Sequence, residues 1–312
     1  MAEFKPLIKL RHQICVQKGI KIIKIFDTYQ KEKDKDVILG QWQGKKIILR
    51  IGEHRPVDFF PDGYQGDYLV IPKIYTINKK LNYEIEQYLD GKLLFDLLQK
   101  IKTNHLLAPG WLKPVIKSFW EWQYIGSGLK LKKINCRKKL EQFFNQGSHL
   151  IKHPQIAASI INNNKYNFFW AEHYPAKWKF ATDNLVALPE RKIGFIDLKG
   201  VSQRYWGYDL GWIVWPAWFN FNSTEIRLHH QHFKYLKNFF NLVYSLAPSS
   251  EKKNKRIFIT KCWLVIFERI IGSYRDVALD IAHIKNNLNT KTKKNLFVNF
   301  LDQLLILVSS EL

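Results

Sequence analysis

Cysteine is scarce in this sequence, and its few cysteines lie far apart. The 312 residues include three, Cys15, Cys136 and Cys262, and no two of them form a CxxC pair. An odd and scattered set argues against a disulfide framework and against a zinc site. We therefore expect all three to be buried free thiols.

Long apolar runs are also missing. No stretch of about 18 consecutive apolar residues occurs, and the nearest candidates, Leu210–Phe221 and Leu296–Val308, are too short or are interrupted by polar residues and proline. Met1–Leu10 is charged and lacks an apolar core of the length that a signal peptide needs. We expect a cytoplasmic protein without a transmembrane segment.

Acidic residues are few relative to basic ones. The chain has 27 Asp and Glu against 49 Lys and Arg, which gives a formal net charge of +22. Such a charge favours anionic partners, namely nucleotide phosphates, nucleic acid or an acidic surface. A solvated lysine surface explains the same number, so charge alone does not separate binding from solubility. The 46% hydrophobic content is that of a folded protein and excludes disorder over most of the chain.

The N-terminal part of the chain has the composition of β-strands, and a tight turn is expected at Gln43-Gly44. The connections are too short for helical crossovers, so the strands are expected to form one antiparallel sheet. The predicted strands are Ile20–Thr28, Val37–Trp42, Lys46–Ile51, Tyr68–Tyr75 and Tyr83–Leu89.

After the turn at Asp90-Gly91 the apolar residues change to helical spacing, beginning with a helix over Leu93–Ile101. Further helices are predicted over Trp111–Tyr124, Cys136–Leu150, Gln155–Asn162, Tyr208–Trp215, Ser223–Ala247, Arg256–Ile284 and Thr290–Val308, with short strands at Leu185–Leu188 and Ile193–Asp197. The chain is thus predicted to be a bilobal α+β protein. Its small antiparallel β lobe spans residues 1–89, and its larger, mainly helical lobe spans residues 90–312.

Four short segments carry a more specific pattern. KKIILRIG places Arg50 on the third strand, and YEIEQYLDGKLL runs from a strand into the first helix of the large lobe. DNLV followed by GFIDL sets Asn184 and Asp197 thirteen residues apart, and WGYDLGWI adds Asp209 twelve residues later. Each segment alone is a weak signal. In this order, over roughly residues 20–215, they resemble the aminoglycoside phosphotransferase and choline kinase family, which has a protein-kinase-like fold.

The resemblance implies ATP and magnesium as cofactors and phosphoryl transfer to a small molecule or a sugar hydroxyl. It implies that Arg50 grips the nucleotide phosphates and that Asp209 braces the catalytic loop through backbone hydrogen bonds. Asn184 and Asp197 would bind magnesium, for which their hard oxygen atoms are suitable ligands. The adenine slot would be lined by Glu86, Gln87, Tyr88 and Leu89.

The sequence departs from the family where the catalytic aspartate is expected. The family's His-Gly-Asp triplet corresponds to Lys177–Lys179, so Lys179 stands in the place of the aspartate, and a lysine cannot act as a carboxylate base. Asp183 is a substitute candidate, and Glu172 and His173 are others if the loop is longer than in the family. A cation at Lys179 would either replace one metal charge or neutralise the site and close it.

Two further family elements are not found. The connection QKEKDKD between the first two strands contains no glycine and cannot cradle phosphates closely. The acidic partner of Arg50 is not identified, Glu53 and Asp58 being candidates only because they are acidic and near it in sequence.

Three functions therefore stay open. The first is a phosphotransferase with a nucleotide and a small-molecule acceptor. The second is a catalytically dead, kinase-like binding module that recognises an anionic partner through its basic face. The third is a nucleic-acid-binding protein, although its tryptophans at helical spacing are more typical of a core than of stacking platforms. The acceptor pocket would be built after residue 215, where His229, His230 and His232 line it or face solvent.

Overall fold

The structure is a computed structural model that describes residues 5–26, 35–52, 62–99, 109–177, 180, 182–198, 201–215, 228–281 and 290–312. The strands are β1 (Lys21–Phe26), β2 (Asp36–Trp42), β3 (Lys45–Ile51), β4 (Leu69–Val70), β5 (Ile74–Asn78), β6 (Tyr83–Gln87), β7 (Lys92–Leu93), β8 (Tyr174–Ala176), β9 (Leu185–Ala187), β10 (Ile193–Phe195) and β11 (Ser202–Arg204). The helices are α1 (Lys5–Lys18), α2 (Leu94–Gln99), α3 (Pro109–Gly126), α4 (Cys136–Gly147), α5 (Pro154–Ile161), α6 (Asn167–Ala171), α7 (Tyr208–Val214), α8 (Leu228–Leu246), α9 (Lys255–Ala278) and α10 (Lys291–Glu311).

The small lobe is a five-stranded antiparallel sheet in the order β1-β2-β3-β6-β5. The turn between β2 and β3 consists of Gln43 and Gly44, which both have positive φ, at 50° and 77°. A two-residue turn of this kind matches the twist of the flanking strands, so the predicted hairpin is confirmed. The single antiparallel sheet is confirmed as well.

Alternation along β3 separates the two faces of this sheet. Ile47, Leu49 and Ile51 are fully buried in the small-lobe core, which α1 covers with Ile14. Arg50 lies on the opposite face because successive side chains of a strand point to opposite sides. The core side is purely apolar, and the charged side of β3 is the one that belongs to the site described below.

The predicted strand Tyr68–Tyr75 is wrong. Its first part, β4, pairs in parallel with β10 in a second sheet of order β4-β10-β9-β7, whereas β5 is an edge strand of the small-lobe sheet. Pro72 lies between the two, and proline cannot donate a ladder hydrogen bond, so the chain leaves one sheet there and enters the other.

Glu121 on α3 holds the segment that leads into β4. Its carboxylate accepts hydrogen bonds from the Tyr64 hydroxyl at 2.7 Å and from the backbone N–H groups of Asp67, Tyr68 and Leu69 at 3.1, 2.9 and 3.0 Å. Several donors on one carboxylate give a strong anchor because hydrogen bonds to charged acceptors are stronger than neutral ones. This anchor places β4 against β10, the strand that precedes Asp197.

The large lobe is built around α9, which is buried along most of its length and packs against α4, α7, α8 and α10. Most predicted helices are confirmed with shifted ends, but Arg256–Ile284 extends too far. That helix ends at Ala278, because Leu279 caps it and Asp280 takes a positive φ of 49°. The predicted start at Ser223 lies outside the described residues.

Several smaller elements were not predicted, namely α1, α6, β7, β8 and β11. All three cysteines are buried and free, as expected. In the part of the chain that the structure describes, no helix combines the length and the apolar character needed to cross a membrane.

Candidate functional site

Arg50 is held by two glutamates of the neighbouring strand. Its Nε lies 2.8 Å from Oε1 of Glu86 and 3.5 Å from Oε1 of Glu84. Arg50 is directly opposite Glu84 in the β3–β6 register, and Glu86 is two residues further along the same face. The partner of Arg50 is therefore on β6, whereas the sequence candidates Glu53 and Asp58 lie outside the described residues. The alternation Glu84-x-Glu86 was visible in the sequence, but the register was not.

Carboxylates of both lobes act on the charge of Arg50. Burial lowers the pKa of this guanidinium, but the carboxylates of Glu86, Asp197 and Glu84 outweigh burial and raise the pKa above its ordinary value. Arg50 is only 8% exposed, so its charge needs these partners. Asp197, a residue of the large lobe, thus acts on the cation of the small lobe.

Asn184 and Asp197 lie at the same end of the β9–β10 hairpin. Asn184 ends a short 3₁₀ turn, Thr182–Asn184, and its backbone carbonyl accepts a hydrogen bond of 3.2 Å from the N–H of Ile196. Asp197 follows directly and has a φ of 54°, in the left-handed region. Aspartate tolerates this region better than most residues, and such positions concentrate at functional sites. The hairpin therefore places the backbones of Asn184 and Asp197 at the same end of its two strands.

Lys177 is the buried cation of this region. It follows β8, is 0% exposed, and its backbone N–H donates to Oδ2 of Asp209 at 3.0 Å. Burial lowers the pKa of its ammonium to about 8, and the charges of Asp197, Asp209 and Asp183 oppose that shift. The sequence had directed attention to Lys179, which lies, with Trp178, outside the described residues. The sequence signal for Lys177 was its place at the first position of the segment that corresponds to the family's His-Gly-Asp triplet.

Asp209 lies in the first turn of α7 and is 1% exposed. Burial raises the pKa of this carboxyl to about 7, although the hydrogen bond from Lys177 and the charges of Lys177 and Arg204 lower it. The contact with the backbone of Lys177 is of the type that the family resemblance implies for a brace of the catalytic loop.

Replacing Asp209 by asparagine should remove a pH dependence of stability. In the folded chain the pKa of Asp209 is raised from its ordinary value of 3.8 to about 7, so between these pH values the folded chain holds a proton that the unfolded chain has lost. The contribution of Asp209 to stability is therefore largest below about pH 4 and falls as pH rises towards 7, by up to about 1.4 kcal/mol per pH unit relative to Asp209→Asn. Urea unfolding of both proteins across this range measures the difference. A constant difference contradicts the prediction, and circular dichroism verifies that both chains start folded.

Of the residues expected to line an adenine slot, Glu86 and Gln87 make polar contacts, whereas Leu89 is buried among apolar side chains and Tyr88 lies near a lysine. The Glu86 carboxylate accepts a hydrogen bond from Arg50, and the Gln87 side chain accepts one from the Lys73 N–H at 3.2 Å. Leu89 is buried in a small separate apolar cluster with Val70 and Val186. This cluster lies where β6 leaves the small lobe and meets β4 and β9. The ring of Tyr88 lies 5.5 Å from the ammonium of Lys46.

The residues that could substitute for the catalytic aspartate lie in different environments. Asp183 is exposed in the 3₁₀ turn beside Asn184. Glu172 accepts from Lys261 of α9 at 2.7 Å and from the Tyr174 hydroxyl at 3.3 Å, while His173 is half-exposed before β8.

The side chains of His229, His230 and His232, near the start of α8, lie outside the described part. Within that part no group of three or more His, Cys, Asp and Glu residues is suited to hold a metal ion.

Solved structures decide the fold. A choline kinase from Cryptosporidium parvum Iowa II matches with a TM-score of 0.56 and 12% identity, over 97% of this chain and 95% of that one. The amicoumacin kinase hAmiN, in complex with AMP-PNP, Ca2+ and Ami, matches with a TM-score of 0.57 and 9% identity, over 96% and 95%. This chain has a protein-kinase-like fold.

A third structure agrees with this assignment. The streptomycin-ATP-APH(2")-IIa ternary complex matches the kinase-like fold of this chain with a TM-score of 0.53 and 12% identity, over 92% of this chain and 97% of that one. No protein-family model and no curated protein matches the sequence. The predicted bilobal α+β architecture is confirmed, and at these identities the likeness establishes the fold alone.

Proposed function

We propose that this kinase-like chain binds ATP between its lobes and transfers a phosphoryl group to a small molecule or a sugar hydroxyl. The observation that carries the proposal is the arrangement around Arg50. A buried cation of the small lobe is held by Glu86 and is acted on by Asp197 of the large lobe. Phosphoryl transfer needs charge placed in this manner, because the protein mainly positions and stabilises the phosphates.

Arg50 would bind the nucleotide phosphates. A guanidinium presents several N–H donors in a fixed plane that matches phosphate oxygens, and the ion pair with Glu86 fixes its position. Asn184 and Asp197 would hold a magnesium ion, because an amide oxygen and a carboxylate are hard ligands and the two residues lie at one end of the β9–β10 hairpin. When bound, magnesium would neutralise part of the phosphate charge.

Lys177 would add a positive charge to the same region. It is fully buried, and three carboxylates, those of Asp197, Asp209 and Asp183, act on it. A buried ammonium interacts more strongly with phosphate oxygens than an exposed one because the local dielectric is low. The apolar cluster of Val70, Leu89 and Val186 would provide the flat, dry surface that an adenine ring needs.

Asp183 would orient the acceptor hydroxyl. It is exposed, next to the proposed metal ligand Asn184, and it lies close enough to Lys177 to act on its charge. A carboxylate in such a position can accept the proton of a hydroxyl group. Glu172 is a poorer candidate because its carboxylate is engaged by Lys261.

Thermal unfolding with ATP, with and without magnesium, tests the proposal. We expect ATP to raise Tm, and magnesium to increase the shift, because a ligand that binds only the folded state stabilises it. In Asp183→Asn the shift should remain, whereas ATP turnover with a panel of hydroxylated acceptors should fall about 100-fold or more. The control is Asp67→Asn, an exposed aspartate on the loop before β4, which should change neither quantity. The absence of any ATP-dependent shift would overturn the proposal.

One observation favours a second function, a binding module without catalysis. Lys177 places a cation among the aspartates of the site, and Lys179 stands in the position of the family's catalytic aspartate. The net charge of +22 suits an anionic macromolecule. ATP binding without turnover, together with a salt-sensitive Tm shift on adding RNA or heparin, would select this function over the first.

A further inference from the structure

Four basic side chains gather in the large lobe between α4, β11 and α9. We call Lys139, Arg204, Arg269 and Arg275 the cationic cluster. Two aromatic rings organise it. The guanidinium carbons of Arg204 and Arg269 lie 4.4 and 5.2 Å from the ring centre of Tyr208.

The ring of Phe143 organises the second pair. The Arg275 guanidinium carbon lies 4.8 Å from its centre, and the Lys139 ammonium lies 5.5 Å from it. Two positive groups at a single ring repel each other, so a nearby negative charge would stabilise both.

Arg204 is the deepest unpaired member of the cluster. It is only 9% exposed, and its Nε donates to the hydroxyl of Ser202 at 3.1 Å. Among the described residues, no carboxylate lies within ion-pair distance of Arg204. Arginines this deeply buried normally have an anionic partner, so the site lacks a negative group.

The carboxylates nearest to the cluster are already engaged. Glu268 accepts from Arg269 Nε at 2.6 Å and from the Tyr205 hydroxyl at 2.9 Å. Asp276 accepts from Arg275 at 2.7 Å. Each of these carboxylates is bonded to one arginine of the cluster, which leaves Arg204 and Lys139 without an acidic hydrogen-bond partner in the described part of the chain.

Two more groups are relevant to the charge balance. Asp209 acts on Arg204 electrostatically, but its hydrogen bond is with the Lys177 N–H. The buried Nε of Arg275 has no hydrogen-bond partner among the described residues. Of the nearby carboxylates, those of Glu268 and Asp276 are hydrogen-bonded to cations of the cluster, and one N–H donor of the cluster is left over.

Lys139 is, with Arg275, one of the two partly exposed members of the cluster. It is half-buried on α4, and its pKa is lowered first by burial and then by the positive charges of Arg204, Arg269 and Arg275, while Glu268 opposes them. The cations therefore repel one another across the site. A bound anion would relieve this repulsion.

We infer that the cationic cluster is a binding site for a small oxyanion of the phosphate type, which enters beside Lys139 on α4. Guanidinium groups match the oxygens of a phosphate better than those of a spherical ion, and a doubly charged ligand suits the number of cations. The site is distinct from the proposed nucleotide cleft and does not depend on it. Because β11 pairs with β8, which leads into Lys177, a bound anion would also stiffen the support of that loop.

Inorganic phosphate is the probe that tests this inference. Thermal unfolding is measured with millimolar phosphate and, at equal ionic strength, with chloride. We expect phosphate to raise Tm by about 3 °C or more relative to chloride. Lys139→Met should weaken the apparent phosphate affinity about tenfold. Lys138→Met changes the exposed neighbouring lysine on the same helix and should keep the full shift.

Further variants distinguish phosphate binding at the cationic cluster from phosphate binding elsewhere on the protein. Arg204→Met should lose the shift entirely, and if that protein does not fold, Lys139→Met decides alone. The inference is overturned if phosphate gives no shift beyond chloride, if Lys139→Met and Lys138→Met respond equally, or if Arg50→Lys removes the shift while Lys139→Met keeps it. A larger shift with a phosphate monoester such as glucose 6-phosphate would identify a phosphorylated small molecule as the ligand, and a larger shift with inorganic phosphate would identify the free ion. Both of these outcomes support the site.

Discussion

Arg50→Met is expected to destabilise the fold by about 3–5 kcal/mol, because removing one partner of a buried ion pair leaves the other charge uncompensated. Glu86 and Glu84 are 2% and 0% exposed, and both lose the cation that faces them. The same change removes the proposed phosphate ligand, so the ATP-dependent Tm shift should disappear. Urea unfolding and thermal shift measure the two effects separately.

A second substitution separates stability from binding. In Arg50→Met combined with Glu86→Leu, most of the lost stability should return, because an apolar pair can replace a buried ion pair, but ATP binding should not return. The matched control is Arg137→Met, which breaks the more exposed pair with Glu141 on α4 and should cost only about 0.5 kcal/mol. If Arg50→Met lowers the free energy of unfolding no more than Arg137→Met does, the ion pair of Arg50 does not stabilise the fold as expected.

Asp197→Asn is expected to remove the magnesium dependence of ATP binding. The substitution replaces the proposed anionic metal ligand with a neutral amide, and we expect ATP affinity in magnesium to fall about 100-fold. It also takes away a negative charge that acts on both Arg50 and Lys177. Isothermal titration with ATP, in magnesium and in a chelator, gives the affinities.

The diagnostic readout is the ratio of these two affinities. For wild type the ratio should be large, and for Asp197→Asn it should be close to one. Asp183→Asn, which changes the exposed aspartate of the adjoining turn, should keep the wild-type ratio. An unchanged ratio in Asp197→Asn would show that this residue does not hold the metal.

Local patterns in the sequence determined much of the fold. The apolar make-up of Lys46–Ile51 predicted β3, Gln43-Gly44 predicted its turn, and helical spacing predicted the main helices of the large lobe. These features depend on neighbours within a few positions, so composition and period suffice to find them. The order of the motifs also led to the kinase-like architecture.

Contacts between distant segments were decided only by the tertiary structure. The β3–β6 register put Glu86, rather than an acidic residue nearer in sequence, on Arg50. Pro72 divided one apolar run between two sheets, because pairing partners and not propensity assign a strand to its sheet.

The sequence likewise did not show which charged side chains are buried near one another. Lys177 is fully buried beside Asp209 of α7, and Arg204 lies near basic residues 65 and 71 positions away from it, Lys139 and Arg275. The sequence determined that this chain is strongly basic. Only the packing decided which of its cations are buried and which carboxylates are near enough to compensate them, because electrostatic energy depends on distance and on the local dielectric.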